Sequence, residues 1–171
     1  MSVSGPAAPS PSPAFAAITA LRAAGESGDA DAVAGLLAPD VVFHSPITAR
    51  IRLEGKEEVA ALHRDIFAVL TDLDTTDPLA LGDARSFSFR ARVRGVELEA
   101  MVLVRFNEQG QIVEFKVFAR PLAALATLFA ALPPRVSARR RGRLWGALAA
   151  VLTRPLALAL RTADRFTPRF V

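Results

Sequence analysis

The sequence predicts an α+β fold, in which N-terminal helices cover a curved antiparallel sheet and an added helical tail follows it. Two observations support this prediction. Apolar residues first recur at helical spacing between residues 13 and 70, and strand-like alternation then runs from residue 86 to residue 119. Helices that precede a run of antiparallel strands pack on one side of the sheet. With 171 residues, 51% of them hydrophobic, the chain can form one domain with a sizeable core.

Three helices are predicted before the main strands. Residues 1–11 are rich in Gly, Ala, Pro and Ser, and we expect them to be disordered because they cannot bury a core. Ser12 then caps a first helix that has Pro13 at its first position. Asp29 caps a second, short helix, and Gly55 opens a third helix with a regular apolar stripe.

The first strand is predicted over residues 40–46. Strand alternation places Phe43 and Ser45 on one face and His44 on the opposite face. The later acidic stretch 72–77 is interpreted as a solvated loop, because it lacks the glycine and ligand spacing of a calcium-binding loop.

A long β-hairpin is the strongest strand prediction. Residues 86–94 alternate between apolar and polar side chains, and Arg94-Gly95 can form a two-residue turn. The register of this turn places opposite charges across from each other, Arg92 with Glu97 and Arg90 with Glu99. A further strand is predicted over residues 111–119, and an apolar helix over residues 121–132, ended by Pro133-Pro134.

Three segments carry a resemblance to a known family: ESGDADAVAGLLAPDVVFHSP, LEGKEEVAAL and ELEAMVLVRFNEQGQIVEFKVFARPL. The chain resembles the nuclear transport factor 2-like superfamily, and most closely its SnoaL-like and ketosteroid-isomerase-like branch, over roughly residues 14–122. The resemblance implies a cone-shaped sheet around a pocket that is open at one end. Because this superfamily includes enzymes, ligand binders and protein-binding modules, the resemblance specifies the fold more than the function.

The positions that are catalytic in ketosteroid isomerases hold other residues in this chain. The resemblance places Ser45 at the position of the general base, Val102 at the oxyanion-hole Asp and Leu21 at the oxyanion-hole Tyr. A serine is no base near neutral pH and a valine donates no hydrogen bond, so isomerase chemistry of this kind is not expected. The Asp-Arg-Asp set of the epoxide-hydrolase branch is absent as well, since Arg92 and Val117 replace its carboxylates around Arg90.

An apolar pocket is the predicted site. Its predicted ligand-binding residues are Leu21, Phe43, Ser45, His63, Phe89, Val102, Phe115 and Val117. His63 and Ser45 are the candidate catalytic residues, because a histidine titrates near neutrality and can act as base or acid. Two functions of the pocket remain open: binding of an apolar small molecule or partner without chemistry, and an isomerase, cyclase or hydrolase reaction that uses His63 and Ser45. A third alternative is a module that associates peripherally with a membrane through the basic C-terminal tail.

No metal or cofactor is predicted. The chain contains no cysteine, and its two histidines show no ligand spacing. The first 13 residues have neither the basic start nor the apolar core of a signal peptide, and a cytoplasmic location is predicted.

The C-terminal part differs in charge from the body. Residues 1–134 carry 16 acidic and 12 basic side chains, whereas residues 135–171 carry nine arginines and one aspartate. We predict a nuclear-transport-factor-2-like domain over residues 12–132, a basic linker over 133–143 and an amphipathic helical tail over 144–171. A proline at position 155 is expected to kink the tail, whose apolar stretch is interrupted too early to cross a bilayer.

The tail is predicted to contact a partner through Arg139, Arg140, Arg141, Arg143 and Trp145. An interfacial helix on an anionic membrane surface would show this combination of arginines, tryptophan and leucines. Docking of the tail on its own cone or on a second subunit, as in a homodimer, is the interpretation that we favour over the membrane surface. Nucleic acid is an unlikely partner in this prediction, because the body is acidic and offers no platform of aromatic and basic residues.

Overall fold

The computed structural model describes residues 12–48, 50 and 52–166, except for the side chains of Leu81 and Arg165. The disorder predicted for residues 1–11 lies outside the described residues. Five helices and seven strands follow one another in this part of the chain: α1 (Pro13–Ser27), α2 (Ala30–Leu36), β1 (Leu37–His44), β2 (Arg52–Glu54), α3 (Lys56–Phe67), β3 (Leu70–Thr75), β4 (Leu79–Leu81), β5 (Ala84–Val93), β6 (Val96–Phe106), β7 (Ile112–Arg120), α4 (Leu122–Arg141) and α5 (Arg143–Phe166).

The strands form one curved sheet in the order β2-β1-β7-β6-β5-β3, and β4 pairs with β5 beside this path. The pairing of β1 with β7 is parallel, and the other pairings are antiparallel. Helices α1, α2 and α3 precede most of the sheet and bury their apolar faces against it, with Ile18, Val33 and Val59 fully buried. The α+β fold predicted from the sequence is therefore confirmed.

The predicted helix starts are confirmed. The hydroxyl of Ser12 accepts a hydrogen bond from the Phe15 amide at 3.3 Å. The carboxylate of Asp29 accepts bonds from the amides of Asp31 and Ala32 at 3.0 and 2.9 Å. These oxygens satisfy amide groups that the first turn of a helix leaves unpaired.

The hairpin register is confirmed residue by residue, with Arg92 opposite Glu97 and Arg90 opposite Glu99. Arg94 and Gly95 have φ values of 48° and 80°, the positive values that a type I′ turn requires. Arg92 forms the expected ion pair with Glu97 at 3.2 Å. Glu99 instead binds Arg120 of the neighbouring strand β7 at 2.7 Å.

The interpretation of residues 72–77 as a solvated loop is wrong for most of the stretch. Residues up to Thr75 belong to β3, which pairs with the edge of β5. The register of β3 shifts between Thr71 and Asp74, where Asp72 has a φ of 54°. This irregularity breaks the two-residue alternation by which a strand is detected in a sequence.

The prediction that a helix ends at Pro133-Pro134 is also wrong. Helix α4 continues to Arg141, so most of the stretch predicted as a basic linker is helical and the chain turns at Gly142. Prolines inside a helix remove hydrogen bonds and add steric strain. Ion pairs with α3 on one side and packing against α5 on the other offset this cost.

Helix α5 folds back along α4 as an antiparallel hairpin with a seam of small residues. Ala157 packs against Ala126 and Ala130. At Gly146, an added Cβ atom would lie 2.7 Å from the Cβ of Ala138, so only glycine allows this approach. The kink predicted at Pro155 does not interrupt α5, which is continuous over 24 residues.

The prediction that the apolar stretch of the tail is too short to cross a bilayer is wrong as far as its length is concerned. Between Arg143 and Asp164, α5 is long and apolar enough to cross a membrane by length and composition, with 17% of this stretch buried. One such helix is weak evidence for a membrane span, since it reflects length and composition alone.

Candidate ligand-binding cavity

A cavity of about 440 Å³ lies between the concave face of the sheet and the helices. Apolar side chains from β1, β5, β6 and β7 form its walls, together with residues of all the long helices. The structure brings together at this cavity all eight residues predicted for ligand binding: Leu21, Phe43, Ser45, His63, Phe89, Val102, Phe115 and Val117. Their role in binding stays a prediction.

His63 is the one buried polar residue, among those described, that lines the cavity. Helix α3 places its ring between three phenylalanines, with ring centroids 6.0 Å from Phe43, 6.0 Å from Phe67 and 5.1 Å from Phe115. Its Nδ1 lies 2.8 Å from the Val59 carbonyl oxygen. Because a carbonyl oxygen can only accept, Nδ1 carries the proton, and Nε2 is left as a hydrogen-bond acceptor.

The Nε2 atom of His63 reaches the surface of the cavity. None of the described residues forms a hydrogen bond with this atom. Every fully buried side-chain nitrogen or oxygen of the described residues does have a hydrogen-bond partner. Nε2 is therefore not fully buried, and it is accessible from the cavity that His63 lines. The cavity therefore presents one acceptor atom from within an aromatic cage.

Burial lowers the pKa of His63 below its ordinary value of 6.5, more strongly than the hydrogen bond to Val59 raises it. Removal from water disfavours the charged imidazolium. The ring is therefore neutral at pH 7, and its Nε2 can accept a hydrogen bond or a proton.

The three positions that the resemblance matches to catalytic residues of ketosteroid isomerases, Leu21, Ser45 and Val102, all lie on the cavity wall. Leu21 and Val102 are buried, and both are apolar. The Ser45 hydroxyl accepts a hydrogen bond from the Ile47 amide at 3.2 Å. No hydrogen bond joins the described side chains of Ser45 and His63, so the structure contains no pre-formed Ser–His nucleophile pair here.

The remaining sequence candidates lie outside the cavity. His44 points to the opposite face of the sheet, as predicted, and its Nε2 lies 3.0 Å from Glu114. Arg90 and Arg92 are not on the cavity wall, whereas Val117 is. Among the described residues, no group of three His, Asp or Glu could hold a metal ion.

Sequence reasoning missed the contribution of the C-terminal hairpin to the cavity. Its apolar lining residues are Leu128, Phe129, Leu132, Pro133 and Val136 of α4 and Trp145, Leu148, Ala149 and Leu152 of α5. The spacing of the α5 residues indicates one helix face. Docking of the tail on the cone is one of the two interpretations of this face, but the sequence does not show that α4 brings it to the cavity.

Two of the arginines predicted for a partner surface form ion pairs within the chain. Arg139 binds Glu58 and Asp65 of α3 at 3.1 and 3.0 Å, and Arg140 binds Glu58 at 2.8 Å. Partial burial raises the pKa of Glu58, but the hydrogen bonds and charges of both arginines outweigh it and hold this pKa below 4.5.

The other two arginines of this set and Trp145 are exposed where α4 ends and α5 begins. The guanidinium of Arg141 lies 5.4 Å from the ring centroid of Trp145, a cation–π distance. Arg143 is exposed as well. The four arginines predicted for a partner surface thus divide into a pair that holds α4 on the body and a pair that is exposed.

Comparison with known proteins identifies the class. The sequence profile of the SnoaL-like domain matches residues 18–115, and the chain belongs to this family. The family has the nuclear transport factor 2-like fold, which confirms the resemblance found in the sequence. No curated protein matches the chain significantly.

Solved structures with the same fold include a steroid Δ-isomerase from Pseudomonas aeruginosa, with 27% identity over 78% of this chain and 98% of that chain and a TM-score of 0.69. An uncharacterized protein with a cystatin-like fold from Silicibacter pomeroyi has 24% identity over 75% of this chain and 89% of that one, with a TM-score of 0.67. A protein of unknown function from Mesorhizobium loti has 18% identity over 64% and 92%, with a TM-score of 0.57.

Proposed function

We propose that this SnoaL-like protein binds an apolar small molecule that carries one hydrogen-bond donor, and that Nε2 of His63 accepts this hydrogen bond. The observation that carries the proposal is that His63, the one buried polar residue among the described residues of the wall, offers an acceptor inside a cavity lined mainly by apolar side chains. Binding sites for small molecules combine apolar walls with a few placed polar groups that set orientation. Burying a donor against this acceptor avoids the cost of an unpaired polar group, so a ligand with a hydroxyl group is favoured.

A fused-ring alcohol of sterol type is the ligand class that we propose. A volume of about 440 Å³ lies within the range of small-molecule pockets. The steroid Δ-isomerase from Pseudomonas aeruginosa has a similar fold and 27% identity. Leu21, Ser45 and Val102 replace the residues that ketosteroid isomerases use, so we propose binding without their chemistry.

The test uses Trp145, the single tryptophan in a chain without tyrosine, as a built-in fluorescence donor at the cavity. Dehydroergosterol, a fluorescent sterol alcohol, is titrated from cyclodextrin, and its 3-methyl ether serves as a matched probe that cannot donate. We expect energy transfer from Trp145 with both probes, and about tenfold weaker binding of the ether from the loss of one hydrogen bond.

The variant His63→Leu should bind both probes equally, and His44→Leu serves as the control that preserves the preference. Equal binding of alcohol and ether to the unaltered protein would exclude the role of His63. Absence of energy transfer with either probe would exclude the sterol class.

An isomerase, cyclase or hydrolase reaction is the alternative function, and one observation supports it. A neutral imidazole whose Nε2 faces a mainly apolar cavity can remove a proton from a bound substrate. His63→Ala would then abolish turnover of an enone or epoxide panel while it leaves the circular dichroism spectrum unchanged. Turnover that survives this substitution would eliminate the alternative.

We further propose a cytoplasmic protein that associates peripherally with membranes and forms homodimers through the outer face of its sheet. Met101 and Phe118 support the dimer, because they lie side by side on β6 and β7 and are 45% and 54% exposed. Light scattering of Phe118→Arg tests it, with a shift to monomer as the expected result. A monomeric unaltered protein would contradict this proposal.

A further inference from the structure

Helix α5 leaves a broad apolar face uncovered. Only its seam of small residues packs against α4, while Leu144 is 86% exposed and Val151 and Leu158 are each 67% exposed. Docking of the tail on its own cone therefore does not bury these three side chains. A contiguous apolar surface of this kind on a soluble domain indicates a contact with a membrane or another partner.

Basic residues border this face on one side. Arg143, Arg154 and Arg161 are exposed and are separated by 11 and 7 residues, about three and two helical turns, so they fall on one line. Arg141 adds a further positive charge beside Trp145. Among the described residues of α5, Asp164 is the only acid. An apolar face flanked by arginines fits the boundary between headgroups and acyl chains of an anionic bilayer.

The same face reaches the cavity. Trp145, Leu148 and Leu152 line the cavity and are 50%, 48% and 66% exposed. Each of these side chains thus contacts both the interior of the cone and the surroundings of α5. We call the opening that they border the α5 portal.

We propose that α5 lies on an anionic bilayer and that a membrane-resident apolar alcohol passes between the lipid and His63 through the α5 portal. The claim that α5 lies on a bilayer depends on the surface of α5 alone. The claim that an alcohol passes through the portal rests on the proposed ligand-binding function. An apolar molecule that uses this route keeps its hydrocarbon surface out of water during transfer.

The observations favour a bilayer surface over a second copy or a membrane span. Anionic lipid complements the line of arginines, whereas a second copy of α5 would offer Asp164 as its only acid to pair with three arginines. A span would place Arg154 near the middle of the hydrocarbon and strip α5 from its seam with α4. The line of arginines along one side is what a helix parallel to the surface requires.

The docking test measures quenching of Trp145 fluorescence by brominated lipids in vesicles of phosphatidylcholine alone and with phosphatidylglycerol. We expect quenching only in anionic vesicles, and by bromine atoms that lie close to the headgroups. Added salt should weaken the quenching, because it screens the attraction between the arginines and the anionic lipid. Replacing Arg143, Arg154 and Arg161 by Gln should weaken vesicle binding about fivefold per residue.

A triple substitution, Leu144→Gln, Val151→Gln and Leu158→Gln, should reduce vesicle binding at least tenfold without affecting the cavity, since none of the three lines it. Leu79→Gln with Leu122→Gln is the matched control, because both residues are apolar and exposed outside α5 and neither lines the cavity. Quenching at the bilayer centre, equal binding to neutral vesicles, or dimerisation without vesicle binding would each overturn the proposed docking.

The passage test follows transfer of dehydroergosterol from anionic donor vesicles to the protein, which is then separated from the vesicles by centrifugation. Passage through the α5 portal predicts a rate that rises with vesicle concentration and falls at least tenfold in the triple variant. Cyclodextrin-delivered binding should stay unchanged in that variant. Transfer at a rate independent of vesicle concentration would overturn the portal route.

Failure of the two proposals is distinguishable. The variant His63→Leu should lose its preference for the alcohol over the ether but still bind anionic vesicles. If dehydroergosterol binds from cyclodextrin and the protein ignores anionic vesicles, the ligand site stands and the docking proposal fails. If the protein binds vesicles but takes up no sterol from either source, the proposed ligand class fails.

Discussion

The Nε atom of Arg139 lies 3.0 Å from a carboxylate oxygen of Asp65, a residue 74 positions earlier in the chain. Asp65 is almost fully buried, with a side chain 12% exposed. Arg139 also binds Glu58, which lies about two helical turns before Asp65 on α3. This contact fixes the C-terminal half of α4 to the body. The positions of α5 and of the cavity wall that it contributes depend on it.

Substituting Arg139→Met should lower the free energy of unfolding by about 2 kcal/mol, because Asp65 then keeps only the weaker contact with Arg135 at 3.8 Å. Chemical denaturation measures this change. Adding Asp65→Asn to this variant should lower the free energy of unfolding only slightly further. Arg140→Met is the control, since its pair with Glu58 is more exposed and should contribute less than about 1 kcal/mol.

The stability of the protein should decrease as the pH is lowered from 7.5 to 5.5. Burial lowers the pKa of His63 below 6.5, so the unfolded chain binds a proton in this range before the folded chain does. Stability is therefore lost as the pH falls below 6.5. Glu58 and Glu114, whose pKa values lie below 4.5, do not titrate in this window.

Thermal or chemical denaturation across this pH range checks the expectation. The variant His63→Leu should lose most of the slope, and His44→Leu, which removes the other histidine of the chain, should keep it. If the slope disappears in His44→Leu and persists in His63→Leu, the prediction is wrong.

A third prediction concerns the seam between α4 and α5. Gly146→Ala places a Cβ atom 2.7 Å from the Cβ of Ala138 and 2.8 Å from the Pro134 carbonyl oxygen. The helices must separate, at a cost of about 1–3 kcal/mol. Gly35→Ala in α2 is the matched control, because its Cβ would meet nothing within 4 Å and should stabilise the helix by about 0.5–1 kcal/mol. Equal effects would show that α5 is not held at this contact.

The turn of the β5–β6 hairpin offers a stabilising substitution. Arg94 has a φ of 48°, in the left-handed region that asparagine adopts more readily. Arg94→Asn should therefore raise the free energy of unfolding by roughly 0.5 kcal/mol. Gly95→Ala, at a φ of 80°, should destabilise the protein by more than that. Thermal unfolding of both variants measures the difference in sign.

Local rules explain the parts of the fold that were predicted correctly. Ser12 and Asp29 cap helices through contacts within three residues, and the turn at Arg94-Gly95 sets a register that cross-strand charges reinforce. The cavity wall follows from the same alternation, because the two faces of each strand differ in polarity. Family resemblance then indicates which face is concave.

Contacts distant in sequence decide the parts that were wrong. Helix α4 passes Pro133 and Pro134 because Arg139 binds α3 and small residues bind α5, and no window of local sequence contains these partners. Strand β3 was hidden by its irregularity at Asp72. The share of α5 in the cavity depends on the α4–α5 seam and was hidden for the same reason.

The proton on Nδ1 of His63 is held by the carbonyl of Val59, an atom of the helix backbone that no substitution can remove. The ring therefore cannot easily exchange its acceptor for a donor toward the cavity. An alcohol and the ketone formed from it have almost the same shape, but only the alcohol has the hydroxyl group that can donate a hydrogen bond to Nε2 of His63. We expect the cone to distinguish the two oxidation states of one carbon skeleton, holding the reduced form and releasing the oxidised one.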